Sequence, residues 1–133
     1  MEEKDLQYGE KVILDAGACI YKPGAALEQK PIYYIIAGLV KIEFDLEEGK
    51  HFPLYLQPDA VFGLVEPLLA SERVTAAYCM EKSILYHWDL ESFDMASGVH
   101  WELALNTITG LTQILRILNA EFGERLGLVE DRI

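Results

Sequence analysis

The hydrophobic pattern of this chain changes near Asp89. Before it, between about residue 9 and residue 88, short apolar stretches are separated by turns such as Asp15-Ala16-Gly17 and Lys22-Pro23-Gly24. After it, a stretch without proline covers about residues 99–126, with apolar residues three and four apart. Short alternating stretches between Gly and Pro turns are typical of antiparallel strands, whereas three–four spacing is typical of a helix. The sequence therefore predicts a mainly β chain with C-terminal helices.

The clearest strand region is residues 32–44, where apolar and other side chains alternate on both sides of Gly38. Glu47-Glu48-Gly49-Lys50 is the predicted hairpin turn, residues 51–56 form the returning strand, and residues 76–87 supply one more strand or a pair. Strands at this spacing favour an antiparallel double-stranded β-helix, a jelly-roll or cupin-like β-roll of about eight short strands. The predicted core consists mostly of Ile32, Tyr34, Ile36, Val40, Ile42, Phe44, Leu54, Leu56, Phe62 and Leu85.

Two helices are predicted after the strands. Asp89 can cap a short helix over about residues 89–96, Ser97-Gly98 ends it, and a long helix follows over about residues 99–126. The long helix has a heptad seam and a narrower second apolar stripe, so two of its faces need to be covered. One face can cover the β-roll and the other predicts a homodimer, although the seam could also face only the core. The predicted dimer residues are Ile108, Leu111, Leu115, Leu118 and Phe122.

Length and charge limit the function classes. The 133 residues predict a single domain, and the net charge of −11 disfavours direct contact with nucleic acid or anionic lipid. No apolar run is long enough to span a membrane, and the acidic start Met1-Glu2-Glu3 is unlike a signal peptide, so a cytoplasmic location is expected. Two cysteines are too few for a disulfide framework.

No pattern in the chain predicts catalysis. Nucleophile motifs, carboxylate pairs with a candidate base, and Walker or Rossmann glycine patterns are all missing from the sequence. His51, His87 and His100 fall in a turn, a strand and a helix start, without the spacing of a metal cage. We therefore expect a protein that is not an enzyme, with no catalytic residues and no metal site.

The stretch from Phe62 to Thr75 predicts an anion site. A glycine turn at Gly63 leads into a short apolar run, and Arg73 follows just before the next strand. Backbone N–H groups of a turn and a helix start can bind an anion, and one arginine can close such a site with a forked ion pair. The alternative is a solvated Arg73 paired with Glu72 or Glu66.

This stretch resembles the phosphate-binding cassette of the cyclic nucleotide-binding effector domains of the catabolite-activator (CRP/FNR) family. A Phe-Gly-Glu turn precedes an Arg-Ser/Thr-Ala segment in that cassette. The turn glycines Gly17, Gly24 and Gly38 and the long helix extend the resemblance over about residues 9–127. It implies a β-roll, a dimerisation helix, and a phosphate held by the Gly63 turn and Arg73. Gas-sensing relatives also suggest Cys79 or His87 as haem ligands, a secondary alternative.

The cassette departs from the family pattern at several positions, and two of them concern ligand contacts. Leu64 stands where the family has the glutamate that binds the ribose, and Val74 replaces the Ser/Thr after the arginine. We therefore expect weak or absent cAMP binding, since leucine cannot accept a hydrogen bond. Leu64→Glu should improve cAMP binding, and Arg73→Ala should abolish any anion binding. The candidate ligand-binding residues are Phe62, Gly63, Leu64, Glu66, Arg73, Val74 and Thr75.

Two functions follow from these observations. The first is a ligand-sensing regulatory domain like those of CRP/FNR transcription regulators, whose effector is a cyclic nucleotide or another small anion. Its DNA contacts would come from a helix-turn-helix domain after the long helix, which we do not expect within these 133 residues. The second is a stand-alone cupin-like binding protein or enzyme that acts without DNA.

Overall fold

Two four-stranded antiparallel sheets form a β-roll, as the sequence predicts. The computed structural model describes residues 1–24, 30–45 and 49–122, with side chains up to Ala120. One sheet has the order β1-β8-β3-β6 and the other β2-β7-β4-β5. The strands are β1 Glu10–Leu14, β2 Cys19–Tyr21, β3 Ile32–Ala37, β4 Val40–Asp45, β5 His51–Leu56, β6 Val61–Phe62, β7 Thr75–Cys79 and β8 Ser83–Trp88.

The corner between β3 and β4 depends on Gly38. Its φ is +110°, and a Cβ at this position would lie 2.2 Å from the Ser83 hydroxyl oxygen. Ser83 is buried and donates its hydroxyl proton to the Glu81 carbonyl. Only glycine fits both the backbone angle and the close approach, so Gly38 splits the alternating stretch into two strands that lie in different sheets.

Eight of the ten predicted core residues are buried, and two predictions are wrong: Ile36 and Phe44 are only half-buried. In β3, Ile35 is buried together with Ile32 and Tyr34, whereas Ile36 is not. The pairing of β3 with β8 shifts register between Ile35 and Ala37. Alternation along β3 places Tyr33 and Ile35 against the core between the sheets, whereas Ile32, Tyr34 and Ile36 face the cluster that includes residues of the two C-terminal helices. The core also includes Trp88 and Leu103, which the sequence analysis did not name.

The described residues form three α-helices: α1 Val65–Leu69 lies between β6 and β7, and α2 Leu90–Val99 and α3 Trp101–Phe122 come after β8. The Asp89 carboxylate accepts a hydrogen bond from the Ser92 N–H at 2.7 Å, which confirms the predicted cap. The break between α2 and α3 lies at His100 and not at Ser97-Gly98. Bending there lets Ala96 of α2 and Leu103 of α3 pack into one apolar cluster.

The predicted hairpin turn at residues 47–50 and the predicted helix end after residue 122 lie wholly or partly outside the described residues. Within the described part, no helix is both long and apolar enough to cross a membrane. Helix α3 contacts β6 and α2, so its first half closes the roll beside the turn that follows β6.

Candidate ligand-binding site

The glycine turn predicted from the sequence lies between β6 and α1. Gly63 has a φ of +79°, a conformation that L side chains rarely adopt. A Cβ there would lie 3.1 Å from Arg73 Nη1 and 3.2 Å from the Pro31 carbonyl oxygen. The missing side chain therefore makes room for the guanidinium group of Arg73.

Arg73 is held entirely by groups of this chain. Its Nη1 donates to the Gly63 carbonyl at 2.7 Å and to Glu66 Oε1 at 3.0 Å. Its Nη2 donates to the Pro31 carbonyl at 2.6 Å. The exposed fraction is 3% for Arg73 and 6% for Glu66. The solvated ion pair considered from the sequence is thus a buried one, with Glu66 as the partner.

Tyr21 covers one face of this ion pair. The Arg73 guanidinium carbon lies 4.1 Å from the centroid of the Tyr21 ring, within the range of a cation–π contact. Burial raises the pKa of Tyr21 to about 12, although the positive charge of Arg73 and a hydrogen bond with Thr75 oppose the increase. Tyr21 therefore stays protonated and neutral at physiological pH.

A cavity of about 420 Å³ lies between the β-roll and α3, next to the ion pair. Its walls come from the strands, from the Gly63 turn and from α3, and they are mostly aliphatic and aromatic. Thr107 reaches it from α3, but its hydroxyl donates to the Leu103 carbonyl at 2.8 Å. The lining residues include Ile42, Phe44, Leu54, Leu56, Phe62, Leu64, Leu111, Ile114 and Leu118.

Six of the seven candidate site residues line this cavity. They are Phe62, Gly63, Leu64, Glu66, Val74 and Thr75. Arg73 is not part of the lining among the described residues, since its guanidinium contacts Glu66, Gly63 and Pro31. The position expected to hold a phosphate against the arginine is therefore occupied by the Glu66 carboxylate.

Val74 and Thr75 point in different directions, as expected for neighbours at the start of a strand. Thr75 is buried, whereas Val74 has an exposed fraction of 66% at the cavity rim. Leu64 precedes α1 and packs against a buried cluster that contains Ile32 and Trp88. No acceptor group of residue 64 reaches the cavity, because this side chain is a hydrocarbon.

The predicted dimer seam is divided in the single chain. Ile108 and Leu115 are exposed, while Leu111 and Leu118 are half-buried. Leu111, Leu115 and Leu118 also line the cavity, so one helix contributes to the cavity wall and to an uncovered apolar face. The side chain of Phe122 lies outside the described residues.

His51 has carboxylate neighbours that its spacing along the sequence did not suggest. Its Nδ1 lies 2.8 Å from Asp45 Oδ1 and 3.3 Å from Glu43 Oε1, because β4 and β5 pair Asp45 with His51. Lys41 Nζ lies 3.2 Å from Glu43 Oε2. These groups form a polar cluster that does not line the cavity. The register of the hairpin was the signal that could have predicted it.

The two cysteines are free thiols. Cys79 lies in β7 and is buried, and burial raises the pKa of its thiol. His87 lies in β8, in the other sheet, where its ring is 5.9 Å from that of Tyr33. The structure thus gives separate packing environments to the two residues named as haem-ligand alternatives.

No protein-family model matches the sequence, and no curated protein matches it. Several solved structures, in contrast, are similar to the structure of this chain. The catabolite activator protein of Thermus thermophilus superposes with a TM-score of 0.71 at 22% identity, covering 90% of this chain and 56% of that one. The heme domain of CooA from Carboxydothermus hydrogenoformans superposes with a TM-score of 0.73 at 16% identity, and the match covers 90% of this chain and 82% of that one. The cAMP-bound PfPKA-R fragment 141–441 superposes with a TM-score of 0.59 at 26% identity, and the match covers 72% of this chain and 35% of that one.

These similarities agree with the architecture seen in the chain itself. The chain spans little more than half of the Thermus protein and about a third of the PfPKA-R fragment. Eight antiparallel strands in two sheets, a short helix after the Gly63 turn and a long helix at the end match the predicted resemblance. The chain therefore has the fold of a cyclic nucleotide-binding domain of the CRP/FNR type.

Proposed function

We propose that this chain is a small-molecule-sensing regulatory domain, in which an effector binds in the cavity between the β-roll and α3. The observation that carries the proposal is the composition of the cavity wall. Leu111 and Ile114 come from α3, and Gly63 and Leu64 come from the turn after β6. An effector in this space touches both elements, so its binding changes the contacts that position α3.

The similar structures support a regulatory role. They include a catabolite activator, the heme domain of CooA and a cAMP-bound protein. The cavity lining also supports it, because the walls are mostly apolar and the one carboxylate among the described lining residues, Glu66, is paired with Arg73. We therefore assign the chain a sensing role.

Tight cAMP binding is not part of the proposed function. Glu66 pairs with Arg73, and Leu64 replaces the ribose acceptor that the family resemblance implies. A cyclic phosphate that bound Arg73 would have to displace the Glu66 carboxylate from it. It would then leave two negative groups and one positive group in a buried space, which is strongly unfavourable.

Helix α3 is the proposed output element. Its exposed apolar residues include Ile108, Leu115 and Ile117. A second copy of the same helix, related by a two-fold axis, would cover this face, and the pairing would transmit a movement of α3 between subunits. In a promoter-binding protein, DNA contacts would come from a domain other than this acidic one.

The proposal is tested with the whole chain by thermal shift against cAMP, cGMP, nucleosides and a library of neutral apolar compounds. A compound that raises Tm should lose its effect in Leu111→Trp, which fills the cavity, and keep it in Leu105→Trp, which is exposed on α3. Amide hydrogen exchange should then slow in α3 and not in β1. The proposal is wrong if no compound binds, or if binders leave α3 exchange unchanged.

A further inference from the structure

We infer that the effector of this cavity is an uncharged, mainly apolar molecule and not an anion; this rests on the proposed function and specifies its ligand. The inference begins with the charges at the cavity wall. Glu66 and Arg73 are both buried and 3.0 Å apart, so together they add no net charge. Among the described lining residues, Glu66 is the one charged group. A negative ligand would meet a carboxylate there and no free cation.

The hydrogen-bonding capacity of Arg73 is largely used within the protein. The guanidinium has five N–H donors, and three of them are taken by Gly63, Glu66 and Pro31. The Tyr21 ring covers one face of the group at 4.1 Å. A ligand that took over these three donors would therefore break the bonds to two backbone carbonyls as well as the bond to the carboxylate.

The other walls favour hydrocarbon or aromatic groups. Aliphatic residues from β4, β5 and α3 and the rings of Tyr21, Phe44 and Phe62 surround the space. Thr75 hydrogen-bonds with Tyr21, and Thr107 donates to a backbone carbonyl of its own helix. The hydroxyls of a sugar would find few partners here, and unpaired buried polar groups are costly.

The size of the cavity suits a small organic ligand. A volume of about 420 Å³ lies within the range of about 300–1,000 Å³ that is common for such sites. Because a nucleotide could also be accommodated by size, the polarity of the walls and the paired charges decide the ligand class. Apolar surface removed from water would supply most of the binding free energy.

Two fluorescent probes with the same ring system provide a direct test. N-phenyl-1-naphthylamine is neutral, and 8-anilinonaphthalene-1-sulfonate is the same molecule with a sulfonate. We expect the neutral probe to bind wild type saturably and at least about tenfold more tightly than the sulfonate, which corresponds to about 1.4 kcal/mol. Glu66→Gln removes the negative charge and should reduce this ratio severalfold. Binding of both probes to the cavity should be lost in Leu111→Trp and kept in Leu105→Trp.

The possible failures are distinguishable. If the sulfonate or cAMP binds the cavity as tightly as the neutral probe, the inference is overturned while a sensing role stands. If neither probe, nor cAMP, nor any neutral compound binds in a manner sensitive to Leu111→Trp, the proposed function fails as well. Circular dichroism and Tm establish that each variant is folded, and Ile114→Phe replaces Leu111→Trp if the tryptophan prevents folding.

Discussion

Glu66 accepts a hydrogen bond from Arg73 at 3.0 Å inside the protein, seven positions before it in the chain. The pair connects α1 to the segment that enters β7, beside the cavity. In this fold the chain thus supplies its own carboxylate to the arginine that sequence resemblance assigns to a ligand phosphate. The consequences concern both stability and ligand choice.

Removing Arg73 alone should be far more damaging than removing both partners. Arg73→Met leaves the Glu66 carboxylate buried without a cation and should lower the free energy of unfolding by about 3–5 kcal/mol. Arg73→Met combined with Glu66→Leu should recover a large part of this loss. Urea unfolding of wild type, both single variants and the double variant measures the coupling. A loss in the double variant equal to the sum of the two single losses would show that the pair is not coupled.

Binding of cAMP should be weak or absent in wild type and should increase when the acidic competitor is removed. Isothermal calorimetry with cAMP should show at least about tenfold tighter binding in Glu66→Gln, because Arg73 then loses its anionic partner. Leu64→Glu should improve binding by supplying a ribose acceptor. Adding Arg73→Ala should cost about 2–5 kcal/mol of any such affinity. Tight binding by wild type that persists in Arg73→Ala would place the phosphate elsewhere.

Gly63→Ala should destabilise the chain by more than a comparable change at Gly17. Both residues have a positive φ, +79° for Gly63 and +86° for Gly17. A Cβ added at Gly63 would lie 3.1 Å from Arg73 Nη1, whereas a Cβ added at Gly17 would have no neighbour within 4 Å. The backbone term alone costs about 1 kcal/mol, and crowding of Arg73 should add to it. Thermal or urea unfolding of the two variants compares these costs. Equal destabilisation would mean that Arg73 moves aside freely.

Leu115→Lys should weaken self-association through α3. Leu115 has an exposed fraction of 68% in the single chain and lies on the predicted seam, so a two-fold interface would bury the new charge twice. Sedimentation velocity should show a shift from dimer toward monomer. Gln113→Lys adds the same charge outside the seam and serves as the control. A Leu115→Lys protein that sediments as the wild-type species would contradict the assignment.

Stability should fall at alkaline pH in a way that depends on Tyr21. Its pKa is raised from 10 to about 12 in the folded state, so unfolded chains lose the phenol proton first. The stabilising contribution is complete below pH 10 and is lost as the pH rises toward 12. Between about pH 9 and about pH 11, the free energy of unfolding should therefore fall by about 1 kcal/mol less in Tyr21→Phe than in wild type. Urea midpoints give the result, with Tyr55→Phe as an exposed control; identical pH profiles of wild type and Tyr21→Phe would be the contrary result.

The fold and the clustering of the candidate site residues were accessible from the sequence because their signals are local. Alternation around Gly38, Gly and Pro turns, and three–four spacing after Asp89 depend on neighbours within a few positions. They predicted the β-roll, the cap at Asp89 and the long helix. The positive φ of Gly63 was also implied by its place in a tight turn. Six of the seven predicted site residues line one cavity for the same reason, as they come from one short segment of the chain.

Only the tertiary structure decided which groups Arg73 contacts. Whether Arg73 faced solvent, a ligand or Glu66 depended on Pro31 and Tyr21, which lie 42 and 52 positions earlier and meet it only after the sheets have formed. The burial of Ile35 likewise depended on the second sheet, whose residues pack against the face of β3 that Tyr33 and Ile35 share. Sequence spacing reports which residues share a face of one element. The partner of a buried charge is set by packing between elements, because a charge is stable there only if its pairing compensates for the loss of solvation.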